Sequence, residues 1–217
     1  MSRFDLIVFD WDGTLMDSTS SIVSSLQQAC RDLGIAPPSD ERARYIIGLG
    51  LQDALTHAVP DLAPERYREL SERYRYHFLA GDSELRMFDG VNELVANLAQ
   101  AGRLLAVATG KTRKGLQRAL ASSGLEALFH ATRCADECHS KPHPQMLEEL
   151  MDELGVAADR CLMIGDTTHD LLMARNAGVG ALAVTYGAHP RAELLSAMPL
   201  TCADSVEEMR QWLLAHT

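Results

Sequence analysis

Two aspartates one residue apart, Asp10 and Asp12, stand in the run Phe9-Asp10-Trp11-Asp12-Gly13-Thr14-Leu15, directly after a short apolar stretch. In extended chain the side chains at i and i+2 point to the same side, so both carboxylates can address one ligand. Gly13 then lets the backbone turn tightly away. Close carboxylates repel, so a cation is expected among them. Hard oxygen ligands with no His or Cys beside them favour magnesium over zinc. Three further polar groups stand out: Thr109-Gly110-Lys111, Lys141-Pro142, and Gly165-Asp166 with Asp170 four residues on. Lys141 supplies the positive charge that an anionic substrate needs. Cys134, Cys138 and His139 offer a different metal set, but a second ligand pair of zinc-site spacing is missing.

These groups need a scaffold that gathers them. Phe4–Asp10 reads as a buried strand ending in an acid, and Leu104–Ala108, Ala131–Cys134, Cys161–Ile164, Ala181–Val184 and Leu200–Cys202 are further strand-sized runs. Between them Val91–Ala101, Lys114–Ser123, Pro144–Leu154 and Leu171–Ala177 have helical period, followed by Gly102, Gly124, Gly155 and Gly178 where C-caps belong. Alternation of this kind predicts an α/β fold, a Rossmann-like parallel sheet with helices on both faces. In such a sheet ligands sit beyond the carboxyl ends of the strands, where the four polar groups fall.

One segment breaks the rhythm. From Asp17 to Leu85 no buried strand is evident. Ser21–Leu33, a start at Ser39-Asp40-Glu41, Gln52–Ala58 and Pro64–Leu79 all read as helix. A stretch of about 70 residues is too long for a structureless loop. The expected organisation is therefore a catalytic core of residues 1–16 and 86–217, with an all-helical cap of residues 17–85 inserted after the first strand.

The chain of 217 residues has a formal net charge of -10. With no basic stripe, a nucleic-acid partner is not expected. No apolar run reaches membrane-spanning length, and no signal-peptide stretch opens the sequence, so a cytoplasmic protein is expected. Five scattered cysteines read as reduced thiols rather than a disulfide framework.

The run Phe9–Leu15, Thr109, Lys141-Pro142 and Gly165-Asp166-Thr167-Thr168-His169-Asp170 resemble, in order and spacing, the four motifs of the haloacid dehalogenase superfamily. Gly178 in Ala174–Gly178 fits the same pattern, and the helical insertion is similar to that of the phosphoglycolate-phosphatase-like branch. The resemblance implies a magnesium-dependent phosphatase acting on a small phosphorylated metabolite. Asp10 would be the nucleophile that forms an aspartyl phosphate. Asp12 would be the general acid and base. Thr109, Gly110 and Lys141 would hold the phosphoryl group. Magnesium would be bound by the Asp10 carboxylate, the Asp12 backbone carbonyl and Asp166, with Asp170 orienting metal-bound water.

A phosphosugar mutase of the same family shares these motifs, and a phospho-accepting regulatory protein is a more distant alternative. A dehalogenase would lack the second acid. Trp11 is expected to pack rather than react, and His143 to start a helix between Pro142 and Pro144. Substrate choice is expected to lie with the cap, around Gly48-Leu49-Gly50 with Arg42, Arg44 and Tyr45. Lys111 is a further candidate for substrate contact. Asp17–Ser18 and Glu84–Met87 are the expected hinges.

Overall fold

A computed structural model describes residues 3–217, so the first two residues of the expected core lie outside it. The strands are β1 (Leu6–Phe9), β2 (Met16–Asp17), β3 (Arg86–Met87), β4 (Leu104–Thr109), β5 (Ala131–Cys134), β6 (Cys161–Gly165), β7 (Gly180–Val184) and β8 (Thr201–Ala203). The helices are α1 (Thr19–Asp32), α2 (Asp40–Tyr45), α3 (Leu51–Ala58), α4 (Tyr67–Ala80), α5 (Val91–Gln100), α6 (Arg113–Ser123), α7 (Gln145–Leu154), α8 (Thr168–Asn176), α9 (Arg191–Ser196) and α10 (Val206–His216).

Six strands form one parallel sheet in the order β5-β4-β1-β6-β7-β8. The central strands are buried on both faces, which is why they read as continuous apolar runs. Their residues nevertheless sort with period two. Ile7, Phe9, Leu105, Val107, Leu162 and Ile164 join the cluster under α5, α6 and α10. Leu6, Val8, Ala106, Ala108, Cys161 and Met163 join the cluster under α7 and α8. The expected α/β architecture is thus present, with helices on both faces.

Between β1 and β4 the chain folds into α1–α4, which pack round an apolar cluster of their own that includes Leu26, Ile47, Leu55 and Leu70. β2 and β3, where the chain leaves for these helices and returns, pair antiparallel, Met16 with Met87 and Asp17 with Arg86. The two expected hinges therefore lie in or beside one ribbon. Helix α8 begins at Thr168, ahead of the expected Leu171, because Thr167 and Asp170 form a capping box. Helices α9 and α10 fall where the sequence reading assigned none. Among the described residues no helix is long and apolar enough to cross a membrane.

Candidate active site

Because β1 lies between β4 and β6, with Phe9 level with both Val107 and Ile164, the ends of three adjacent strands share one edge. Asp10 follows β1, Thr109 closes β4 and Asp166 follows β6, and all three are buried. Lys141 reaches this edge from the loop after β5. Its ammonium donates to Asp10 Oδ1 at 2.7 Å and to Asp170 Oδ1 at 2.6 Å, and it is itself 2% exposed.

Four ionisable groups are thereby held out of water, and burial acts on the acidity of Asp10, Asp166 and Lys141. Burial pushes the Asp10 carboxyl well above the usual carboxylate range, with Lys141 pulling the other way and Asp170 adding to the rise. Burial, then the charge of Asp170, raises Asp166 to about 7. For Lys141 burial acts downward, but the Asp10 and Asp170 carboxylates outweigh it and hold the ammonium protonated.

The carboxyl oxygens of Asp10, Asp166 and Asp170 approach within 4.8 Å of one another, and among the described residues no other group of three or more potential ligands gathers this way. Asp10 Oδ2 is buried with no hydrogen-bond partner. An orphaned carboxylate oxygen beside two more carboxylates is a fitting place for a hard cation. The carboxylate of Asp170, expected only to orient water, lies inside this cluster. Its Oδ2 accepts from the Thr167 backbone N–H at 3.1 Å and from the Thr167 hydroxyl at 2.6 Å. The Asp12 side chain points elsewhere: its Oδ1 accepts from Ser18 Oγ at 2.6 Å and lies 2.9 Å from Lys111 Nζ. The cysteines and His139 form no such cluster; the Cys138 thiol contacts Glu149 instead.

Two glycines make room for Asp166. A Cβ at Gly13 would lie 2.1 Å, and one at Gly187 2.2 Å, from Asp166 Oδ2. Asp166 cannot swing aside, since Thr14 Oγ1 donates to its Oδ1 and the Ala188 N–H to its Oδ2. Thr14 is tied in turn by the Tyr186 hydroxyl, which donates to its carbonyl. The loop after β7, residues 185–190, is thus part of the site. Its residues carry no spacing signal in the sequence; for Asp170, by contrast, the capping-box pattern Thr167-x-x-Asp170 was available.

The helical insertion closes over this edge. The Tyr45 carbonyl accepts from His169 Nε2 at 2.7 Å and His189 Nε2 at 3.0 Å, and its ring stacks on His189. The Gly50 N–H donates to Ser140 Oγ. Gly48 and Leu49 crowd Gly110 so closely that a Cβ there would lie 2.4 Å from the Leu49 carbonyl oxygen. Between insertion and core is a cavity of about 520 Å³ that reaches Asp12, Gly110 and Lys111. Gly48 and Leu49 line it as expected. Arg42, Arg44 and Tyr45 do not, and the cations on its wall are Arg75, Lys111, Lys114 and Arg118. Trp11 packs in the core against Phe129, and exposed His143 sits at the start of α7, its Nδ1 accepting from the Gln145 N–H.

The model of the haloacid dehalogenase-like hydrolases matches residues 7–184. The chain is 40% identical over 211 residues to the probable phosphatase IndB of Dickeya dadantii, covering 94% of this chain and 91% of that protein. It is 33% identical to a 5′-nucleotidase of Pseudomonas aeruginosa, covering 99% and 97% of the two chains. A crystal structure of a predicted phosphoglycolate phosphatase from Haemophilus somnus superposes with a TM-score of 0.85 at 25% identity, over 98% of this chain and 99% of that one.

Proposed function

The chain belongs to the haloacid dehalogenase-like hydrolases, and on that premise we propose that it is a magnesium-dependent phosphatase working through an aspartyl phosphate on Asp10. One observation carries the reading: Asp10 has one oxygen held by Lys141 and the other buried without a partner beside Asp166. The names of the relatives, phosphatase and nucleotidase, support the reaction class.

In this reading Asp10 attacks phosphorus, the bond from phosphorus to the ester oxygen breaks, and Asp12 gives that oxygen a proton. Water then attacks the phosphorus of the acyl phosphate, Asp12 takes the proton, and phosphate leaves with the Asp10 carboxylate restored. Ser18 and Lys111 orient the Asp12 carboxyl, which stands outside the cluster of Asp10, Asp166 and Asp170. Thr109, the Gly110 backbone and Lys141 hold the phosphoryl oxygens, and Lys141 balances the charge of Asp10. Magnesium would be held by Asp10, the Asp12 carbonyl and Asp166, with Asp170 bracing the set. When bound, it would supply the positive charge that keeps the buried carboxylates ionised and shields the nucleophile from the phosphate. The helices of residues 17–85 act as the cap that excludes water.

Phosphate release from a panel of small phosphomonoesters, with magnesium and with a chelator, tests this in wild type and Asp10→Asn. Magnesium-dependent release that disappears in Asp10→Asn is expected. Release that persists in Asp10→Asn would remove the aspartyl phosphate.

A further inference from the structure

The cavity beside Asp12 has more to say about the leaving group than the phosphoryl site does. It opens at Asp12, Gly110 and Lys111, where the ester oxygen would emerge, and runs into the helical insertion. Its volume of about 520 Å³ is in the range of pockets that enclose drug-sized ligands. A two-carbon acid such as the alcohol of phosphoglycolate would leave most of it unfilled.

The chemistry of the wall is also specific. Ile22, Leu26, Ile47 and Leu55 form an aliphatic side. Tyr74 and Phe78 add a pair of stacked rings, with centroids 5.9 Å apart and planes at 23°. The Lys111 ammonium sits 5.0 Å over the Phe78 ring while it pairs with Asp12, so one side chain joins the ring wall to the reacting centre. The other cations on the wall, Arg75, Lys114 and Arg118, are exposed, whereas against the buried aliphatic side hydroxyls and carboxylates cost free energy unless each finds a partner, and the face of a ring gains.

Resting on the phosphatase reading above, we propose that the physiological substrate is a phosphomonoester of a bulky, ring-bearing alcohol, seated against Tyr74, Phe78 and the aliphatic side of this cavity. The phosphate ester of a small hydroxy acid is not what this cavity is shaped to select. Tyr74 and Phe78 are the residues that would set this preference. Burying a ring of this size against an apolar wall amounts to about 10- to 100-fold in kcat/KM.

The test measures kcat/KM with magnesium for 1-naphthyl phosphate, a 5′-mononucleotide, phosphoglycolate and acetyl phosphate. It uses wild type, Phe78→Ala and Leu51→Trp; Leu51 is a half-buried residue of the cavity wall. The expected result is that at least one ring-bearing ester exceeds phosphoglycolate by tenfold or more. Both variants should lower that ratio about tenfold, one by removing a ring from the wall and the other by filling the space. Melting curves identify a variant that has lost its fold, and the wild-type ranking stands without either variant. Turnover of acetyl phosphate or phosphoglycolate with no advantage for ring-bearing esters would overturn the substrate class and leave the phosphatase reading intact. Hydrolysis of none of the four would overturn both.

Discussion

The ammonium of Lys111 lies 2.9 Å from Oδ1 of Asp12, the same oxygen that accepts the hydroxyl of Ser18. One donor comes from the loop after β4 and the other from the residue before α1, so the proposed acid–base group is oriented from core and insertion together. Hydrogen bonds to charged groups are worth about 1.5–3 kcal/mol. Lys111→Met is therefore expected to lower kcat/KM about 10- to 150-fold. Steady-state kinetics on the best substrate of the panel measures this, and an unchanged value would remove Lys111 from the machinery.

Lys141 is held between Asp10 and Asp170 by hydrogen bonds to both. Removing one member of a buried ion pair strands the rest, at a cost of about 3 kcal/mol or more. Lys141→Met should lower the unfolding free energy of the metal-free protein, read from urea unfolding, by that amount and abolish phosphate release. An unfolding free energy within error of wild type would show that the carboxylates do not depend on this charge.

Asp166 contributes to the response to pH. Its carboxyl is raised from the ordinary 3.8 to about 7, first by burial and then by Asp170. A raised folded-state value means that the folded chain keeps a proton the unfolded chain gives up. This contribution to stability is complete below 3.8 and is lost as pH rises to about 7. A bound cation must displace that proton. The stabilisation by magnesium should therefore grow between pH 5 and pH 7, about where the raised group gives up its proton, and level off above. Thermal melts with and without magnesium across this interval read the trend, and a shift independent of pH would contradict it.

Gly187 leaves room for Asp166 and for nothing else, as the 2.2 Å approach of a Cβ there to Asp166 Oδ2 makes plain. Gly187→Ala should push the carboxylate off its hydrogen bonds to Thr14 and Ala188. Disturbing the supports of a metal ligand costs about 10- to 100-fold in metal affinity. Titration with magnesium, followed by the rise in melting temperature, gives the comparison with wild type.

The acids and the lysine were legible because each sits where a parallel sheet exposes its strand ends. Asp10, Thr109 and Asp166 follow apolar runs whose length and bounds can be read without coordinates, and those runs are β1, β4 and β6. The placement of Asp170 was harder. Apolar periodicity dates the start of α8 from Leu171, whereas the helix starts at Thr168 through a polar cap, which draws the carboxylate into the cluster. Arg44 looked suited to substrate, yet the cations on the cavity wall are Arg75, Lys111, Lys114 and Arg118, because residues 46–49 rather than α2 line the cavity. The supports from Tyr186, Ala188 and His189 could not be read at all. They are ordinary residue types whose only meaning is tertiary, meeting partners 22 to 172 positions away.

The ribbon of β2 and β3 has a consequence for how such a chain can change over time. Met16 and Asp17 pair directly with Met87 and Arg86, so the insertion departs from and rejoins the sheet domain at neighbouring points. A segment whose ends already meet can be lengthened, shortened or exchanged without moving any strand of the sheet. The residues proposed to attack and hold the phosphate and the helical residues proposed to choose its bearer are therefore separable inheritances, with two rungs of hydrogen-bonded backbone as the seam between them.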